Sequence, residues 1–139
     1  MSTISLIVAV NKVCAGLIAK GFRVTNHKTA DETGGMYESV RLDGTNVAIQ
    51  FSIDFREGGL DCGVGRIIDR RLVIDRSRGG YWQSLFGYLM EKQGLRSTLN
   101  IRGVKPGDQE SLEVGLRDYL EVIHNRCKSL EDDSILAFK

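Results

Sequence analysis

The residues of this chain best suited to nucleophilic or metal chemistry are two histidines and three cysteines, and their spacing supports neither. His124 and Cys127 stand three apart and would share one face of a helix. A nucleophile–base pair also needs a third group to orient the base, and the sequence marks out none. His27 is far from His124, so there is no His-x-x-x-His pair, and Cys14, Cys62 and Cys127 make no Cys-x-x-Cys. Neither a metal nor another cofactor is expected. Cys14 and Cys127 fall on apolar helical positions, where a free thiol packs as a small hydrophobe. Unpaired cysteines fit a reducing compartment, and the cytoplasm is expected.

Two glycine-rich stretches invite comparison with phosphate loops: Gly58-Gly59 through Gly63-x-Gly65, and Gly79-Gly80. Neither ends in Gly-Lys-Ser/Thr, and neither carries the three-glycine dinucleotide fingerprint. Gly79-Gly80 stands before a helical pattern, with Arg76 and Arg78 just upstream, and a helix N-terminus attracts anions. A plain turn is the simpler reading of the pair. Asp54, Glu57 and Asp61 flank another turn, where acids are common without any catalytic role. The residues therefore point away from an enzyme.

Charge is distributed unevenly beneath a formal net of +1. Residues 66–105 hold nine bases (Arg66, Arg70, Arg71, Arg76, Arg78, Lys92, Arg96, Arg102, Lys105) against Asp69, Asp75 and Glu91. Residues 108–133 hold eight acids, Glu110, Glu113, Asp118 and Glu121 among them, against Arg117, Arg126 and Lys128. Two such segments can neutralise each other within a fold. They can equally steer a protein partner of complementary charge. Arginine richness beside Tyr81 and Trp82 suits nucleic acid, but a pI near 7.7 and an acidic final helix argue against it.

The elements that must position these groups follow from periodicity. At 139 residues, 42% hydrophobic and 27% charged, the chain is expected to form a single domain, residues 1–139. Leu6, Val10, Val13, Cys14, Leu17 and Ile18 recur at helical spacing, with Ser2 or Thr3 as cap and Gly21 as terminator. The apolar run 4–10 has no preceding positive charge and is interrupted by Asn11 and Lys12, so neither a signal peptide nor a membrane span is expected. After Phe22 and Val24 a polar loop is expected over 25–35, holding His27 and Gly34-Gly35.

Val47, Ile49, Phe51, Ile53 and Phe55 alternate with polar or small residues, the mark of a strand with one buried face. Glu38, Val40 and Leu42 alternate upstream, and Asp43-Gly44-Thr45-Asn46 suits a hairpin turn. Glu57-Gly58-Gly59 makes a second turn into Leu60, Cys62 and Val64, whose interleaved glycines predict a bulge or a close approach by another backbone. Residues 67–78 read as a strand or an extended connection. Trp82, Leu85, Phe86, Leu89 and Met90 predict a helix closed by Gly94. Asp108 caps a last helix with Leu112, Leu116, Tyr119, Leu120, Ile123, Cys127 and Leu130 on its buried stripe, and Ile135, Leu136 and Phe138 pack back as a tail. The fold class is α+β: an N-terminal helix, an antiparallel meander of three to four strands and two C-terminal helices.

This layout resembles small bacterial immunity proteins, which neutralise a cognate toxin such as those of contact-dependent growth inhibition systems. The likeness is carried by the helix 10–20 ending in Gly21-Phe22, the meander 37–64, and Tyr81-Trp82-Gln83-Ser84-Leu85-Phe86-Gly87-Tyr88-Leu89. It rests on architecture and transfers no functional residue. It implies a non-enzymatic inhibitor that occludes its partner. Against a nuclease toxin, Glu110, Glu113, Asp118 and Glu121 would mimic nucleic acid, with Arg70, Arg71, Arg76 and Arg78 as the basic counterpart. The alternatives are a small cytoplasmic secretion chaperone, which such a size and make-up also resemble, and an anion- or nucleic-acid-binding module built on the basic middle. The sequence fixes no oligomeric state.

Overall fold

A computed structural model describes residues 4–30, 36–56, 58–94, 101 and 103–139. Ser2 and Thr3, the Gly34-Gly35 pair, Glu57, Arg96 and Arg102 lie outside the described residues. The chain is α+β, and its described residues form one antiparallel sheet of six strands carrying helices on one face. In order come α1 (Leu6–Val13), α2 (Ala15–Ala19), β1 (Arg23–Ala30), β2 (Met36–Asp43), β3 (Val47–Asp54) and β4 (Gly59–Ile68). Then follow β5 (Arg71–Val73), β6 (Trp82–Ser84), α3 (Leu85–Gln93), α4 (Gln109–Arg126) and α5 (Lys128–Glu131).

The meander is as expected but larger. β1 to β5 pair in sequence order, and β6 joins the same edge of β4 as β5. Three to four strands become six for two reasons. The stretch expected as a polar loop after Val24 is instead β1, an edge strand paired with β2 from Arg23↔Asp43 to Ala30↔Met36. An edge strand with one wet face needs few apolar residues: Val24 packs on the core, while Thr25, Asn26 and His27 are exposed. The second addition is the split edge β5/β6. Asp69 and Arg70 turn the chain with φ of 52° and 66°, β5 runs back along β4, and a 3₁₀ turn at Arg76–Arg78 bulges out before β6 resumes. Tyr81 N–H donates to Val73 O at 2.8 Å, stitching the two pieces together.

Trp82 therefore belongs to a strand, not to the helix its spacing suggested. Its indole lies over Gly63 and Gly65 on the face of the sheet away from the helices. A Cβ at Gly63 would sit 2.8 Å from the ring, and one at Gly65 would sit 2.5 Å from Leu72 Cδ1. The close approach at these glycines comes from a side chain, and the β3–β4 register runs without a bulge from Val47↔Arg66 to Asp54↔Gly59. Helix α3 begins at Leu85, where the Ser84 hydroxyl accepts the Gly87 N–H at 3.0 Å, and ends at Gly94 with φ 63°. Its inward residues are Leu85, Tyr88 and Leu89; Phe86 and Met90 are exposed.

The first helix is likewise two. Cys14 leaves helical geometry at φ −96° and ψ 19°, dividing α1 from α2, yet Leu6, Val10, Cys14 and Leu17 all stay buried. Its cap is Ser5, whose hydroxyl accepts the Val8 N–H. The last helix starts where expected, at Asp108, and buries Leu112, Leu116, Tyr119 and Ile123. The Tyr119 hydroxyl donates to Leu60 O at 2.8 Å, tying α4 to the sheet. Val40, Leu42, Ile49, Phe51, Ile53 and Val64 face these helices in one core. The tail packs back mainly through Ala137 and Phe138, whose ring meets Tyr81 and Tyr88, while Leu136 points outward. No helix among the described residues is long and apolar enough to cross a membrane.

Candidate functional site: charged groups with and without partners

Some charges of this chain are built into the fold. Glu38 sits on the helix-facing side of β2 and is 1% exposed. One of its carboxylate oxygens accepts the Leu6 N–H at 2.8 Å, and the other accepts the Ile7 N–H at 3.2 Å and the Asn26 side-chain amide at 2.8 Å. A negative group at the first turn of α1 satisfies N–H groups that have no partner in the helix and complements the helix dipole. Ser5 is fixed from another side, exchanging two hydrogen bonds with the Gln109 side chain at the start of α4. The start of α1 is thus locked to β2 and α4 together.

Asp133 makes a second lock. Its carboxylate lies under the β2–β3 turn and accepts N–H groups from Thr45, Asn46 and Val47 at 2.6, 2.7 and 2.9 Å. The Asn46 amide donates to Asp133 O in return. Gly44 is required there, because a Cβ would strike the Asp133 carboxylate at 2.5 Å. This joins the carboxyl-terminal segment to a hairpin nearly ninety residues earlier.

The acids proposed to face a partner divide. Glu110 and Glu121 are exposed on α4. Glu113 is 8% exposed and paired with Lys12 Nζ at 2.8 Å, so it holds α1 against α4 and does not join them on the surface. Asp118 is half-buried and has a partner within the chain. Lys20 reaches Glu131 at 3.5 Å and Asp132 at 3.7 Å. Part of the acidic charge of the final segment is therefore neutralised by lysines of the first two helices, not by the basic middle.

The arginines divide too. Arg76 is engaged: its guanidinium meets Glu91 at 2.8 Å and covers the Tyr81 ring at 4.8 Å. The Tyr81 hydroxyl and Gln83 amide also donate to Glu91. Hydrogen bonds from Arg76 and Tyr81 hold the Glu91 carboxyl below its usual range, while burial and the bond to Glu91 push the Tyr81 phenol up. Arg78 is largely exposed, 4.0 Å from Asp75. Gly79-Gly80 does not open a helix, since β6 intervenes. Gly80 is glycine because a Cβ would run into the Val73 carbonyl. The anion reading of that turn loses its helix N-terminus and Arg76 together.

Arg70 and Arg71, at the β4–β5 turn, are exposed. Arg70 also lines a concavity of about 800 Å³ with Arg23 and Arg66, beside Thr45, Asn46 and Ile135. Arg66 donates to Gly79 O at 2.9 Å, a carbonyl that positions the guanidinium without cancelling its charge. Arg23 and Arg66 were not singled out from sequence as binding residues. Their shared position at one end of the sheet follows only from β1 being a strand.

The thiol and imidazole groups do not combine as a nucleophile and base. Cys127 is buried, its thiol directed to Val122 O, and burial pushes it up to about 11. Cys14 is buried likewise and pushed up to about 12, and Cys62 is also raised by burial; all three are free. His124 is exposed and meets Glu131 at 2.7 Å. Cys14, His124 and Glu131 line one small cleft of about 200 Å³, but nothing there favours a thiolate. His27 lies on the open sheet face with Thr25, Ser39, Arg41 and Gln50 around a shallow hollow. Asp54 accepts the Arg56 N–H at 2.9 Å within its turn, and Asp61 is exposed. No group of three or more potential metal ligands occurs among the described residues. Compared with protein-family models, curated proteins and solved structures, the chain gives no match to any of them.

Proposed function

We propose that this chain is a non-enzymatic binding protein, in its sharpest form an immunity protein that binds and blocks a cognate bacterial toxin in the cytoplasm. The observation that carries the reading is the exposure of Arg70 and Arg71 on a tight turn, at the opposite end of the charge map from Glu110 and Glu121 on α4. Exposed charge of both signs on a rigid frame steers a partner and selects against wrong ones. Arginine suits such a surface because its planar fork binds carboxylates with two hydrogen bonds. Occlusion of the partner's active site would follow from docking alone.

The test is co-expression with the product of an adjacent toxin-like gene. Growth should be restored by the wild-type chain and the two proteins should co-purify. Arg70→Glu with Arg71→Glu, or Glu110→Lys with Glu121→Lys, should weaken capture at least tenfold in the folded protein. Continued toxicity with no detectable complex would remove the inhibitor reading.

A further inference from the structure

We propose that the concavity lined by Arg23, Arg66 and Arg70 is a binding site for a phosphate-bearing small molecule, sharing Arg70 with the turn proposed to meet a protein partner. It lies where three ends of the sheet meet: the start of β1, the β2–β3 turn and the β4–β5 turn. It is a broad, mainly polar hollow of about 800 Å³ that opens to solvent, wide enough to seat a small phosphate compound. Thr45 and Asn46 add polar groups to the lining, and Ile67, Ile68 and Ile135 give it an apolar side.

The charge balance is what makes the place unusual. Three guanidinium groups face one lining carboxylate, Asp69. The other acids nearby are already engaged. Asp43, directly across from Arg23 in the β1–β2 register, is held by Arg41 through two bonds of 2.8 and 3.0 Å. Asp133 is turned into the hairpin amides, which orient its carboxylate without cancelling its charge, so three guanidinium groups stand against Asp69 and Asp133 and the balance stays positive. Arg66 is positioned by a neutral carbonyl. A pre-positioned guanidinium presents parallel donors that match phosphate oxygens, and the excess positive charge would be relieved by an anion.

Arg70 supplies a way to test the site. It holds φ 66° in a two-residue turn, the left-handed conformation in which glycine is the favoured residue. An arginine at this position strains the turn where glycine would not. Arg70→Gly separates binding from folding, because it removes the guanidinium while easing the turn.

The experiment is calorimetric titration of the intact protein with inorganic pyrophosphate and, separately, with ATP, each against sodium sulfate at matched ionic strength. Saturable one-to-one binding of either phosphate compound is expected, with a rise in Tm. Arg70→Gly and Arg23→Gln should each weaken it at least tenfold, with the Tm of unliganded Arg70→Gly above wild type. Arg78→Gln, outside the concavity, should bind as wild type does. Absence of saturable binding, equal binding of sulfate, or equal losses in Arg78→Gln and Arg70→Gly would overturn the proposal. So would preference for a single-stranded RNA oligomer over both phosphate compounds, which would make the surface a nucleic-acid site.

Discussion

The Glu38 lock and the arginine concavity are both built from charged residues on the same sheet, and they treat charge in opposite ways. Glu38 is enclosed and accepts from three N–H donors, which offset the cost of taking its side chain out of water. Arg23 and Arg70 are exposed at strand ends, and Arg66 leans only on a carbonyl. Among the described residues, no buried side-chain nitrogen or oxygen lacks a hydrogen-bond partner. The fold thus satisfies its inner polar groups closely and leaves guanidinium groups in excess of carboxylates at one end of the sheet. Charge in this molecule is enclosed and bonded within the fold in one region and largely exposed in the other.

The comparison is broken most severely at Glu38. Glu38→Ala leaves two helix N–H groups without their acceptor and the Asn26 amide with only its longer bond to Ser39 O, and should lower unfolding free energy by about 3 kcal/mol. Urea denaturation measures this, and a loss below about 1 kcal/mol would mean that water replaces the carboxylate easily. Asp133→Ala should cost about 2 kcal/mol, since three N–H groups bond to one carboxylate at a partly exposed turn. Hydrogen exchange would then rise at Thr45, Asn46 and Val47 first. An unchanged exchange pattern would argue against the tail as the clamp on that hairpin.

A change at the other region should go the opposite way. Arg70→Gly should raise stability by about 1 kcal/mol, because glycine adopts positive φ without a Cβ clash. Equal or lower stability would show that the arginine contributes to the turn. The smallest effect is expected at Glu91, whose carboxyl is held low by hydrogen bonds from Arg76 and Tyr81. A carboxyl lower in the folded than in the unfolded state adds stability above its ordinary value of 4.5, and that stability is lost as pH falls through the folded value. Glu91→Gln should therefore flatten the fall in stability on going from pH 5 to pH 3, roughly the window of the ordinary carboxylates. A fall as steep as wild type would remove the Arg76–Glu91 pair from the account.

Much of the frame was legible in the sequence where one physical signal dominated. The alternation from Val47 to Phe55, the turn at Asp43–Asn46 and the caps at Asp108 and Gly94 each follow from local chemistry, and the structure has them. β1 was not legible, because an edge strand with few inward apolar residues reads as a loop until its partner is known. Trp82 was misplaced because its apolar character fits a helical stripe as well as a ring laid across Gly63 and Gly65. Arg70 and Arg71 are exposed, whereas Glu113 is not part of the acidic surface, since no spacing announces that it pairs with Lys12. Arg23 and Arg66 come together through sheet topology alone.

The division between fold-holding and open charge is tested most directly by urea unfolding of one variant, Arg23→Gln/Arg70→Gln/Arg71→Gln. The account expects an unfolding free energy within about 0.5 kcal/mol of wild type, as for exposed substitutions that remove no satisfied partner. A loss of more than about 1.5 kcal/mol would contradict it, by showing that these guanidinium groups hold the sheet together as Glu38 does.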